Sequence, residues 1–125
     1  MEFREFKTKS GKKVLAGKNA ENNEELVEQA GDSEEVFHTA RPGSPFVNIK
    51  GRANKADIQE AAVFCAKFSQ DWRDNQEDVE VHRFNGKDVE KKDGMKVGTF
   101  AVNDFEKMDI KKEDIENWNE SEESS

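Results

Sequence analysis

The sequence predicts an α+β fold, a mostly antiparallel sheet with two main helices in the rough order ββαββαβββ, followed by a C-terminal tail. Three observations carry this expectation. Helical segments are separated by hairpins and not by single strands, which favours antiparallel pairing over parallel crossovers. Ile58, Ala61, Ala62, Cys65, Ala66, Ser69 and Trp72 recur at helical spacing, the strongest periodic signal in the chain. Runs rich in β-branched and aromatic residues are bounded by Gly, Pro, Asn and Ser, as strands bounded by turns are.

Residues 3–8 alternate, Ser10-Gly11 follows, and 13–17 is again strand-like, so the chain opens on a hairpin turned at Ser10-Gly11. A helix then begins with Asn22 or Asn23 as its cap, carries Glu24, Glu25 and Glu28 in its first turns and ends near Ala30-Gly31. A central hairpin pairs 36–39 with 46–49 around Pro42-Gly43-Ser44-Pro45, where Pro42 fixes φ and Gly43 supplies the positive φ of a type II turn. The periodic helix follows. Small Ala61, Ala62 and Ala66 let it approach the sheet closely, Phe64, Phe68 and Trp72 fill its margins, and Asp74-Asn75 ends it. Val79 and Val81 start another strand, Asn85-Gly86 reads as a hairpin turn, and a strand leaves through Val89. A basic loop over 91–96 leads to a last strand over 97–102. The predicted organisation is a domain over 1–103, a docked or helical extension over 104–118 and a disordered acidic tail over 119–125.

The 125 residues, with nine Phe and two Trp, suffice for one modest core. Cys65, the single cysteine, sits in the periodic helix, where a buried thiol in a reducing compartment is expected. With no long apolar run and no hydrophobic N-terminal signal, the expectation is a soluble cytoplasmic protein with no membrane partner.

The formal net charge of −8 argues against an indiscriminate polyanion binder. Its distribution is uneven. Residues 21–35 carry seven acidic and no basic side chains, whereas 36–56 carry four basic and no acidic ones. This patterning allows a basic sheet face backed by acidic helices, or charges of both signs that only solvate the surface.

Catalytic and metal chemistry find little support. Ser44 lacks the Gly-x-Ser-x-Gly elbow, one cysteine and two distant histidines make no zinc pattern, and the carboxylates show no calcium-loop spacing. No catalytic residue, metal or cofactor is expected. His38, beside the tight turn, suits a phosphate or base contact or else a structural hydrogen bond. His82 suits a surface or cross-strand role. Lys18-Asn19 lies where a strand meets a helix, so the lysine can reach a phosphate there, or Asn19 simply shapes the turn.

Four motifs occur in order: Gly17-Lys18-Asn19-Ala20 with Asn23 and Leu26; Phe37-His38 ahead of Pro42-Gly43-Ser44; Ala61-Ala62 with Phe68-Ser69; and Gly94-Met95-Lys96-Val97-Gly98. Together they resemble the NFACT-R domain over about residues 2–103. The resemblance implies the RNA-binding part of ribosome-associated quality-control proteins that handle tRNA on large ribosomal subunits, here as a free-standing protein. Val36 stands where many relatives have Trp, and Pro45 where many have His, so no Trp stacking and no histidine contact is expected at those two positions.

The expected RNA-facing residues are Lys18, Asn19, His38, Arg41, Ser44, Lys50 and Arg52, with Lys91, Lys92 and Lys96 from the basic loop. The lysines and arginines would neutralise phosphates, and His38 would bind better as pH falls towards 6. The expected partner is tRNA or ribosomal RNA, with a ribosomal or other basic protein as a further possibility. The alternatives are an interaction module that docks through acidic helices and a small nuclease that uses His38 and His82.

Overall fold

The structure, a computed structural model, describes residues 2–118, so the expected tail over 119–125 lies outside the described residues. In chain order the elements are β1 (Arg4–Lys7), β2 (Lys13–Ala16), α1 (Ala20–Gln29), β3 (Glu35–Thr39), β4 (Val47–Ile49), α2 (Lys55–Lys67), α3 (Gln70–Asn75), β5 (Val79–Asn85), β6 (Val89–Glu90), β7 (Ala101–Val102), β8 (Glu106–Ile110) and α4 (Lys112–Asn117). Six strands form one antiparallel sheet in the order β1-β2-β4-β3-β5-β8, and β6 and β7 form a separate pair. The fold is α+β, as the sequence predicts.

Strand alternation sorts the core into two layers. One sheet face carries Phe6, Val14, Ala16, Phe37, Val47, Ile49, Val79, Val81 and Ile110, and α2 packs there through Ile58, Ala61, Ala62, Cys65 and Ala66. Ala61, Ala62 and Ala66 are fully buried, as the close-approach argument requires. The other face carries Leu15, Val36 and Phe84, covered by Leu26 and Val27 of α1, by Val89 and Val102 of the smaller sheet and by Phe100 just ahead of β7. The apolar parts of both faces are therefore covered.

The opening and central hairpins form where expected. Gly11 donates to Thr8 O at 2.9 Å to close the first, and Gly43 takes a φ of 92° in the second. Elsewhere the structure departs from the sequence reading, at three places because a polar side chain finds a different partner. The cap of α1 is Asn19, whose side chain accepts from Asn22 N at 2.9 Å. Asn22 Oδ1 instead accepts from Lys18 N, and Asn23 Oδ1 reaches across to Phe46 N. The expected single helix from 58 to 75 breaks into α2 and α3. Ser69 Oγ donates to Ala66 O at 2.7 Å and accepts from Trp72 N at 3.1 Å, ending one helix and capping the next.

Asn85-Gly86 does not turn a hairpin. Asn85 N donates to Asp88 Oδ2 and Gly86 N to Glu34 O, so the chain makes one 3-10 turn over Gly86–Asp88 and leaves for the smaller sheet. The expected strand over 97–102 contracts to Ala101–Val102. Beyond it, β8 adds an edge strand that the sequence reading did not contain. Its Glu-Lys-Met-Asp-Ile run is too charged to look like a strand, yet Met108 and Ile110 alternate onto the α2 face and Ile115 of α4 is fully buried there.

Candidate nucleic-acid interface

At the end of the sheet where β3 leaves for β4, the chain encloses a cleft of about 610 Å³. Its floor is His38, His82 and Phe84 of the α1-side sheet face. Its walls are the β2–α1 turn over 17–20, the corner over 42–46 and the loop over 97–100, with Arg4, Phe68 and Arg73 around its mouth.

Each wall has a local cause. The β2–α1 turn is set by the Asn19 cap and the two side-chain bonds from Asn22 and Asn23, the latter tying the turn to the corner at Phe46. The corner is held by Ser44, whose buried hydroxyl accepts from Thr39 N at 3.0 Å, and by the Gln70 N–H, which donates to Gly43 O at 2.9 Å. The third wall is pulled onto α1 by Glu24. Its Oε1 accepts from Gly98 N at 2.7 Å and from Lys91 Nζ at 2.9 Å, and the Gly98 N–H, ahead of the Lys91 ammonium, holds the Glu24 carboxyl below its usual range.

The floor is aromatic and imidazole-rich. His38 and His82 stand opposite each other across β3 and β5 and point to the same face. The His38 ring lies 4.3 Å from that of Phe46, which is edge-on to Phe100 at 5.6 Å. His38 Nδ1–H donates to Thr39 O at 2.8 Å, which leaves Nε2 of the neutral ring as an acceptor. Burial, aided by His82, lowers the His38 pKa below 6.5 against the opposing Thr39 bond, so the ring is neutral at pH 7. His82 places Nε2 2.7 Å from Glu80 Oε2 and stacks on Phe105 at 4.2 Å.

Of the residues expected to face RNA, Lys18, Asn19, His38 and Ser44 line this cleft. Asn19 and Ser44 are occupied in shaping it through the cap and the Thr39 bond. Arg41 lies beside the corner with its side chain 70% exposed and 3.7 Å from Asp71. Lys50 and Arg52 lie past the far end of β4. Lys50 is clasped there by Glu34 Oε1 at 2.7 Å and Gln29 Oε1 at 2.8 Å, while Arg52 is exposed. Lys91 is spent on Glu24 and on the carbonyl of Thr99, and Lys92 and Lys96 are exposed on the loop it holds. The ten residues therefore do not share one surface.

Sequence reasoning missed Arg4, Arg73, Phe46 and Phe100 as cleft residues. Arg4 reaches the mouth because β1 pairs with β2 in the register Arg4↔Ala16, and it lies 4.3 Å from the Phe68 ring centroid. No local pattern encodes that register. Phe46 was visible as a strand residue, but its partnership with His38 depends on the corner's path.

None of the residues lining the cleft is Asp or Glu, although 28 of the chain's 125 residues are. Among the described residues no group of three or more His, Cys, Asp or Glu side chains could hold a metal ion, and no helix is long and apolar enough to cross a membrane.

No curated protein matches this chain. Among solved structures, it is similar to the C-terminal part of the fibronectin/fibrinogen-binding protein from Streptococcus suis, with a TM-score of 0.81 and 23% identity. The match covers 89% of this chain and 45% of that one, and at this identity it speaks for the fold. The family model for the NFACT protein RNA binding domain matches residues 2–104, and the chain therefore belongs to the NFACT RNA-binding domain family.

Proposed function

We propose that this chain binds RNA through the cleft at the corner of the sheet, and that it acts in the cytoplasm on tRNA or large-subunit ribosomal RNA in ribosome-associated quality control. One observation supports the location above others: in a chain of net charge −8, the cleft is lined by Lys18, Arg4 and Arg73 and by no carboxylate. A polyanion approaching an acidic protein is repelled by most of its surface and is better received where the lining carries cations and no carboxylate. The family membership supplies the kind of polyanion.

The test is a titration of tRNA and of large-subunit RNA fragments across salt. Neutralisation of about three phosphates predicts that log affinity falls with log salt with a slope of roughly 2 to 3. Absence of binding to either RNA at about 50 mM salt would overturn the reading.

Two histidines in one cleft also favour a second reading, a small nuclease with His38 and His82 as its acid–base pair. RNA recovered intact after prolonged incubation with the protein dismisses it. Cleavage lost in both His38→Ala and His82→Ala would establish it.

A further inference from the structure

We propose that the cleft takes one unpaired nucleotide of an RNA strand, its base against the His38–Phe46 wall and its phosphates on Lys18, Arg4 and Arg73. This deepens the RNA-binding reading and rests on it.

The recess is concave and about 610 Å³ in volume, the size of a site for one small ligand. A duplex presents its charges on a convex rod and has no base free to enter such a recess, whereas an unpaired base can be turned into it. The recess also offers what a base needs. The imidazole of His38 makes a planar wall, backed at 4.3 Å by the buried ring of Phe46, which Phe100 meets edge-on at 5.6 Å. A base prefers such a π-surface to an aliphatic one.

His38 adds direction. Because its Nδ1–H is given to Thr39 O, its remaining nitrogen is a lone pair, and no protein donor for that nitrogen is found among the described residues. A lone pair repels phosphate oxygens and accepts from N–H, which bases carry on their amino or imino edges and phosphates lack. Phosphates are then left to the cations at the mouth, which separates a base end from an anion end within one cleft. A lipid offers no base edge to the acceptor, and an apolar peptide offers no anion to the cations.

The experiment measures binding of the full chain to four labelled homopolymeric RNA pentanucleotides and to a blunt RNA duplex at about 100 mM salt. At least one pentanucleotide is expected to bind roughly tenfold or more tightly than the duplex, the size of one base-stacking contact. His38→Leu, which keeps bulk and removes the acceptor, is expected to erase most of that preference while leaving duplex affinity within about twofold. Lys18→Ala is expected to weaken both. Because the comparison of strand with duplex uses the unaltered protein, it holds even where a variant fails to fold.

Equal affinity for pentanucleotide and duplex overturns the proposal while RNA binding stands. Binding to neither overturns the RNA reading itself. Free nucleoside monophosphates that compete as well as the pentanucleotide would make the recess a site for free nucleotides, which also overturns the proposal.

Discussion

The backbone N–H of Gly98 donates to Glu24 Oε1 at 2.7 Å, and this contact, with the Lys91 bond to the same oxygen, holds one wall of the cleft onto α1. Gly98 has a φ of 82°, and a Cβ there would lie 2.8 Å from Ala20 O. Both the carboxylate and the absent side chain are therefore required for the loop to sit where it does. Glu24→Ala should release the loop, raising hydrogen exchange at the Gly98 amide by roughly tenfold or more while the amides of β3 and β5 keep their protection. Unchanged exchange at Gly98 would show that the smaller sheet alone holds the wall.

Glu34 forms the corresponding clasp at the opposite end of the sheet. Burial pushes its carboxyl up, but bonds from Lys50 Nζ and from the N–H groups of Gly31 and Gly51 more than offset this and bring the pKa to about 2. A carboxylate depressed in the folded state adds stability that is full above its unfolded pKa, near 4.5, and is lost as pH falls through about 2. Glu34→Gln should therefore cost on the order of 3 kcal/mol at pH 7. Denaturant unfolding from pH 7 to 2 should show the gap between wild type and variant closing below about pH 4.5. A gap that is constant with pH would assign the loss to packing.

The same two clasps explain what was legible in the sequence. Apolar periodicity located α2, and β-branched runs with Gly and Pro located the first two hairpins, because those signals arise from residues near one another in the chain. Lys50 and Lys91 looked like free cations for the same reason. Their partners, Glu34 and Glu24, lie 16 and 67 positions away and become neighbours only through the sheet's path and the return of the loop. The charge patterning was equally two-sided: Lys50 of the basic block meets Glu34 of the acidic one, and Lys91 of the basic loop meets Glu24. In β8, burial is confined largely to Met108 and Ile110, too little apolar content to be seen without β5 beside it.

Ala62 is fully buried where α2 meets the sheet, with Ala61, Cys65 and Ala66 equally buried around it. Burial also pushes the Cys65 thiol up to about 12, so it stays protonated and inert. Ala62→Arg would force a charge into this layer at a cost of several kcal/mol, about the whole stability of a small domain. The variant should lack a cooperative thermal transition. A soluble variant with the wild-type midpoint would contradict the close packing.

Removal of residues 119–125 takes away Glu120, Glu122 and Glu123 and should raise RNA affinity modestly, most at low salt where screening is weakest. Removal of 104–125 is different. It takes β8 from the edge of β5 and Ile110, Ile115 and Trp118 from contact with the α2-side core, including the Trp118 ring 5.3 Å from Phe64. The longer truncation should lower the thermal midpoint by several degrees or more, and the shorter one should not. Equal midpoints would make β8 and α4 dispensable.

His38 provides the sharpest test of how the cleft works, because the sequence and the structure imply opposite pH behaviour. From sequence, a histidine near phosphates should gain a proton and bind RNA better as pH falls towards 6. In the fold, burial lowers its pKa below 6.5 against the Thr39 bond, and His82 across the sheet adds to the lowering. Near pH 6 the unfolded chain then binds more protons at this site than the folded one, so His38 makes stability fall as pH drops below about 6.5. In an NMR titration, the His38 ring resonance should turn over below pH 6.5. The affinity ratio between wild type and His38→Gln for a single-stranded RNA should stay constant from pH 8 to 6.5 and decline below that, as the acceptor nitrogen takes up its proton. A ratio that instead rises steadily from pH 8 to 6 would make His38 a phosphate-binding cation and move the base, if one binds, elsewhere in the cleft.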